Sequence, residues 1–131
     1  MGYTLQATVA RPYDRTVVDV RAALADQGFG VLTEIDLRAT LKTKLDVDVP
    51  PHVILGACRP QLAHQALQID PAIATVLPCN VAVRALDDDT TVVEAFDPDA
   101  MTLLAGDALC DGAADARQRL SAALATLTEE N

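Results

Sequence analysis

The chain has 131 residues, half of them hydrophobic, with 10 Lys plus Arg against 19 Asp plus Glu and a formal net charge of −9. The length predicts a single domain over residues 1–131, and its core must be Val, Leu, Ile and Ala, because the chain has only two Phe, two Tyr and no Trp. The acidity argues against nucleic acid, whose phosphates need clustered Lys and Arg, and against anionic membrane surfaces. No apolar run approaches the roughly 20 residues of a membrane span. The N-terminus alternates polar and apolar residues, unlike a signal or transit peptide, so a cytoplasmic protein is expected. An odd number of cysteines makes no disulfide framework, and in a reducing compartment they should be thiols unless they bind metal or cycle catalytically.

Tyr3, Leu5, Ala7 and Val9 alternate with polar residues, the period of a half-buried strand. Pro12 ends it. Asp14 or Thr16 can cap a helix on which Val17, Val20 and Leu24 recur, and Gly28 closes that helix in the left-handed conformation. Phe29 to Ile35 reads as a second strand, with Val31, Thr33 and Ile35 on one face. Asp36 is the N-cap of a short helix striped by Leu37, Leu41 and Leu45. Pro50-Pro51 stop the loop that follows.

His52 to Ala57 reads as a third strand. Its continuous Val53-Ile54-Leu55 run places it inside a sheet. Pro60 opens a helix whose buried side is Leu62, Ala63, Ala66 and Leu67. Val76 to Leu86 and Thr90 to Phe96 form a hairpin about the Asp87-Asp88-Asp89 turn. Asp97-Pro98 cap a short helical turn, Gly106 to Gly112 is a loop, and a last helix carries Ala116, Leu120, Ala123, Leu124 and Leu127 on one face. Asp115 and Arg119 pair four residues apart on the other face. The order β-α-β-α-β-α-β-β-α predicts an α/β (α+β) two-layer sandwich, with one mixed sheet backed by helices in a ferredoxin-like arrangement. No Gly-rich phosphate loop follows a strand.

Two cysteines stand out. Cys58 lies in Gly56-Ala57-Cys58-Arg59-Pro60, between a strand end and a helix start. Cys79 lies in Leu77-Pro78-Cys79-Asn80. Proline fixes the backbone beside each, which suits a thiol that serves as nucleophile or soft-metal ligand. The helix start and Arg59 should both favour a Cys58 thiolate. Cys79 should be less acidic, and Cys110, among Asp107 and Asp111, less acidic still. The alternative is that the thiols are small buried hydrophobes. Were the third and fourth strands parallel, Cys58 and Cys79 would lie a strand length apart, roughly 17 Å. That exceeds the limit of about 7 Å between disulfide-bonded Cα atoms. His64 follows Cys58 at a distance that permits a Cys–His pair for a metal or an activated thiol, or it lies on the helix surface. Asn80 suits a turn. Glu34, Asp36 and the Asp87-Asp88-Asp89 run read as caps and turns rather than catalytic or calcium-binding groups. No Ser-His-Asp set is evident.

The segments His52-Val53-Ile54-Leu55-Gly56-Ala57-Cys58-Arg59-Pro60-Gln61-Leu62-Ala63-His64 and Leu77-Pro78-Cys79-Asn80-Val81 resemble the paired signatures of the DUF302 family. The resemblance extends from Gly28-Phe29-Gly30 through Asp97-Pro98. It implies a compact α/β domain, often a homo-oligomer, with the two cysteines as hallmarks; Asn commonly stands where this chain has Arg59. Three functional readings follow. The first is a small-ligand or soft-metal site centred on Cys58, with Cys79, His64 and Asn80 as further ligand-binding candidates, the metal candidates being Cys58, Cys79 and His64. The second is a redox or sulfur-transfer enzyme or carrier with Cys58 as its catalytic nucleophile. The third is a structural or interaction module whose cysteines are inert. The cofactor is left open by all three.

Overall fold

Strand and helix periods alternate along the chain, and the computed structural model, which describes residues 2–128, turns them into the expected elements. They are β1 (Thr4–Val9), α1 (Tyr13–Asp26), β2 (Gly30–Asp36), α2 (Leu37–Leu45), β3 (His52–Cys58), α3 (Pro60–Ile69), β4 (Cys79–Asp87), β5 (Thr90–Phe96), α4 (Asp99–Ala105) and α5 (Cys110–Thr128). Short 3₁₀ turns occupy Pro71–Val76 and Asp107–Leu109. The second of these, with α5 starting at Cys110, fills most of the stretch expected to be a loop. Helix α1 starts one turn earlier than its capping residues suggested. Thr16 is fully buried inside it and donates its hydroxyl back to the Pro12 carbonyl at 2.9 Å. Gly28 follows the end of α1 at φ +85°, where a side chain would be strained. Asp36 caps α2, its carboxylate accepting the Ala39 amide at 2.9 Å.

The two-layer α+β architecture expected from the sequence is present. The sheet itself differs from the expectation of a mixed one. Its order is β1-β5-β4-β3-β2, and each of the four pairings is antiparallel. A ferredoxin-like trait survives in the split β1-α1-β2 unit, whose strands run in the same direction, but three strands separate them here. The decisive difference lies between β3 and β4. Helix α3 and the 3₁₀ turn after it do not cross back over the sheet. Their main packing partners are each other, α5 and the Asp107–Leu109 turn. The chain therefore re-enters the sheet at the end where β3 stopped, and β4 runs antiparallel to β3.

One face of the sheet carries the core. Val53, Leu55, Ala57, Val81, Val83, Val93 and Ala95 face Val20 and Leu24 of α1 and Leu120, Ala123, Leu124 and Leu127 of α5. Burial of such side chains contributes about 1.5–3 kcal/mol each. The other face is polar in part: Arg84 and Glu94 form an ion pair across β4 and β5 at 3.1 Å. Strand β2 is an edge, and nearly its whole length is exposed. A bulge between Val31 and Thr33 changes the expected facing of this strand. Val31 pairs with Ala57 and packs against the core, whereas Thr33 pairs with Gly56 on the opposite face. One extra residue, Leu32, reverses the alternation. No helix among the described residues is long and apolar enough to cross a membrane.

Candidate functional site

The end of the sheet where β3 stops and β4 begins is not closed by the main core. There α3 stands off, and none of its residues is fully buried. Leu62, Ala63 and Ala66, expected on its buried side, are half-buried, and Leu67 is exposed. Leu62, Ala63 and Ala66 face a cavity of about 450 Å³. A second, small apolar cluster of Ile73, Met101 and Leu109 builds its far side. The first turn of α5 closes one end through Asp111, Gly112 and Ala113.

Both proline-flanked cysteines line this cavity, as does Arg59. The antiparallel register pairs Cys79 with Ala57, the residue before Cys58. From strand spacing and rise the two cysteine Cα atoms lie roughly 6 Å apart, in place of the strand length that a parallel pair would impose. The topology thus brings together two thiols that the simplest sequence reading kept apart. Both are free. The Leu77–Pro78 peptide beside them is cis.

The electrostatics reverse the expected acidity of Cys58. Burial raises its pKa. Arg59 does not counter this, because its guanidinium is turned to Asp115, with Nη1 3.4 Å from Oδ2, and packs over Gly28. Burial raises Cys79 further, to about 11, with the charge of a Cys58 thiolate adding to the effect. Burial thus opposes thiolate formation at both cysteines, the opposite of what a poised nucleophile needs. Cys110 begins α5 and is exposed, away from the cavity wall.

The other candidates lie elsewhere. His64 is on the exposed side of α3, and Asn80 is exposed one residue beyond Cys79; neither lines the cavity. Among the described residues no three His, Cys, Asp or Glu side chains are grouped to hold a metal ion. Cys58 and Cys79 supply two soft donors where a structural zinc site takes four. His52 is the first residue of β3, as its sequence pattern suggested, and burial followed by the nearby Arg84 charge lowers its pKa. Glu34 is paired with Arg21 of α1. The residues missed from the sequence are the cavity's apolar walls. Leu77, Met101 and Leu109 come from the end of a 3₁₀ turn, from α4 and from a second 3₁₀ turn, with no shared period, so pattern alone could not unite them.

Comparison with known proteins accounts for nearly the whole chain. The model of the family described as "Domain of unknown function DUF302" matches residues 5–127. The chain belongs to this family. The crystal structure of an uncharacterized conserved DUF302 protein from Bacillus stearothermophilus superposes with a TM-score of 0.87 at 29% sequence identity, covering 97% of this chain and 99% of that one. No curated protein matches the sequence. The DUF302 signatures quoted from the sequence now have a spatial meaning: in this chain their cysteines share one cavity wall, because β3 and β4 are antiparallel neighbours.

Proposed function

We propose that this DUF302 domain binds a small, mainly apolar ligand in the cavity beneath α3, with the Cys58 and Cys79 thiols in its floor. The observation that carries this reading is the cavity itself. Small-molecule sites are concave, apolar and about 300–1,000 Å³, and here about 450 Å³ is bounded by aliphatic side chains and a few polar groups. At about 30 Å³ per water-sized group, this holds on the order of 15 such groups. A soft-metal role is less well supported, since His64 does not join the thiols. A nucleophilic role is disfavoured by the raised pKa of both cysteines.

The test uses 1-decanol, an uncharged ten-carbon probe. Calorimetry on the purified protein should show saturable binding, and decanol should slow alkylation of Cys58 and Cys79 but not of exposed Cys110. Ala66→Trp, which puts an indole into the cavity, should abolish both effects while the protein still melts cooperatively. Absence of binding, or binding indifferent to Ala66→Trp, overturns the reading.

A second copy of the chain is the proposed partner of the β2–α2 edge. Leu32, Ile35, Leu45 and Val47 are exposed there, Leu32 and Leu45 by about two-thirds (65% and 66%). An open edge strand with apolar side chains invites pairing. Light scattering should give at least twice the 13.9 kDa chain mass, and Ile35→Lys should return the species to monomer. A wild-type monomer at high micromolar concentration would refute the assembly.

A further inference from the structure

Resting on that reading of the cavity, we infer that its ligand is an amphiphile with a single carboxylate, whose apolar body lies against α3 and whose head pairs with Arg59. Arg59 lines the cavity, and its side chain is largely enclosed, only 20% exposed. Its one acidic partner among the described residues is shared. The same Asp115 oxygen, Oδ2, receives Arg119 Nε at 3.0 Å and Arg59 Nη1 at 3.4 Å. Arg119 is further anchored, donating from Nη1 to the Gln27 carbonyl at 3.2 Å. One carboxylate thus serves two guanidiniums, and Arg59 holds the longer, weaker contact. A guanidinium carries five N–H donors in a fork that fits a carboxylate. Among the described residues, no other acceptor for Arg59 is present within hydrogen-bond reach.

The surroundings hold this fork in place. Gly28 has no side chain, and a Cβ there would sit 3.3 Å from Arg59 Nε, so the glycine leaves the space that the guanidinium covers. Asp111 also lines the cavity, exposed. Its charge disfavours a dianion such as a phosphate monoester and leaves a monoanion as the better match. The polar fork and the apolar walls of Leu62, Ala66, Met101 and Leu109 then read the two ends of one molecule.

Decanoate and 1-decanol separate the head from the body. Below micellar concentrations, decanoate should bind wild-type protein roughly tenfold more tightly than decanol, the scale of one charge-assisted hydrogen bond. Arg59→Gln should remove that advantage while decanol still binds saturably, which shows that the cavity is intact. Asp115→Asn, which withdraws the competing carboxylate, should strengthen decanoate binding several-fold without affecting decanol. Equal affinity for the two probes in wild-type protein, or a decanoate advantage that survives Arg59→Gln, overturns the carboxylate subsite while leaving the apolar site standing. If neither probe binds, both readings fall together.

Discussion

Gly56→Ala should destabilise the protein by about 3 kcal/mol, the upper part of the range for overpacking. A Cβ on Gly56 would lie 2.1 Å from Thr33 Oγ1 and 2.8 Å from Pro78 Cγ. Neither neighbour can yield easily. Thr33 is a β-branched residue paired with Gly56 across the β2–β3 ladder, and its χ1 is stiff. Pro78 is a rigid ring immediately before β4. For a chain of this size such a loss lowers the melting temperature by roughly 10 °C. Gly112→Ala is the control: outside its own stretch of helix, no atom lies within 4 Å of the added Cβ. In helix α5 that change should stabilise by about 0.5–1 kcal/mol. Thermal melts of the two variants should move in opposite directions, and Thr33→Ala should recover part of the Gly56→Ala loss. An unshifted melt for Gly56→Ala would show that the strand contact is looser than described.

The Cys79 thiol should make the protein lose stability in alkali. Cys79 moves from an ordinary thiol value of 9.0 to about 11 in the folded state. A raised thiol pKa means that the unfolded chain releases its proton first. Between those two values the folded state binds more protons, so stability falls as pH rises. The slope approaches 1.4 kcal/mol per pH unit at most, by about the 1.36 kcal/mol that one pKa unit represents. Below pH 9 the effect is absent. Chemical denaturation across pH 8–11 should show the decline, and Cys79→Ala should flatten it.

The same shift predicts slow chemistry. At pH 7 a two-unit rise cuts the thiolate fraction about a hundredfold, and the greater nucleophilicity of the more basic sulfur restores part of it, leaving roughly tenfold slower alkylation at equal access. Mass-resolved alkylation should therefore find Cys110 modified first, because it is exposed, then Cys58, then Cys79. Rapid labelling of Cys79 in the folded protein would contradict the desolvation that the fold imposes.

Much of this arrangement is legible in the sequence. The period-two residues of β1, the Asp36 cap, Gly28 after α1, Pro60 at the start of α3 and the β4–β5 hairpin are local signals, carried by dihedral preference and capping chemistry within a few residues. The special status of Cys58 and Cys79 was also visible in their proline settings. The acidity of Cys58 was misjudged because adjacency in sequence is not adjacency in space. Arg59 follows Cys58 in the chain, yet its charge is directed to Asp115, 56 residues away.

Sequence by itself determined the elements, the two layers and the family, because periodicity, caps and paired signatures are properties of short segments. Tertiary structure alone decided the direction of β4, the side on which Thr33 lies and the existence of the cavity. A ten-residue helix can either cross a sheet or pack at its end, and no local preference distinguishes the two. The choice depends on whether the apolar face of α3 finds the sheet or finds α5 and the neighbouring turns. It finds the latter, and that packing sets two thiols and Arg59 around one apolar space.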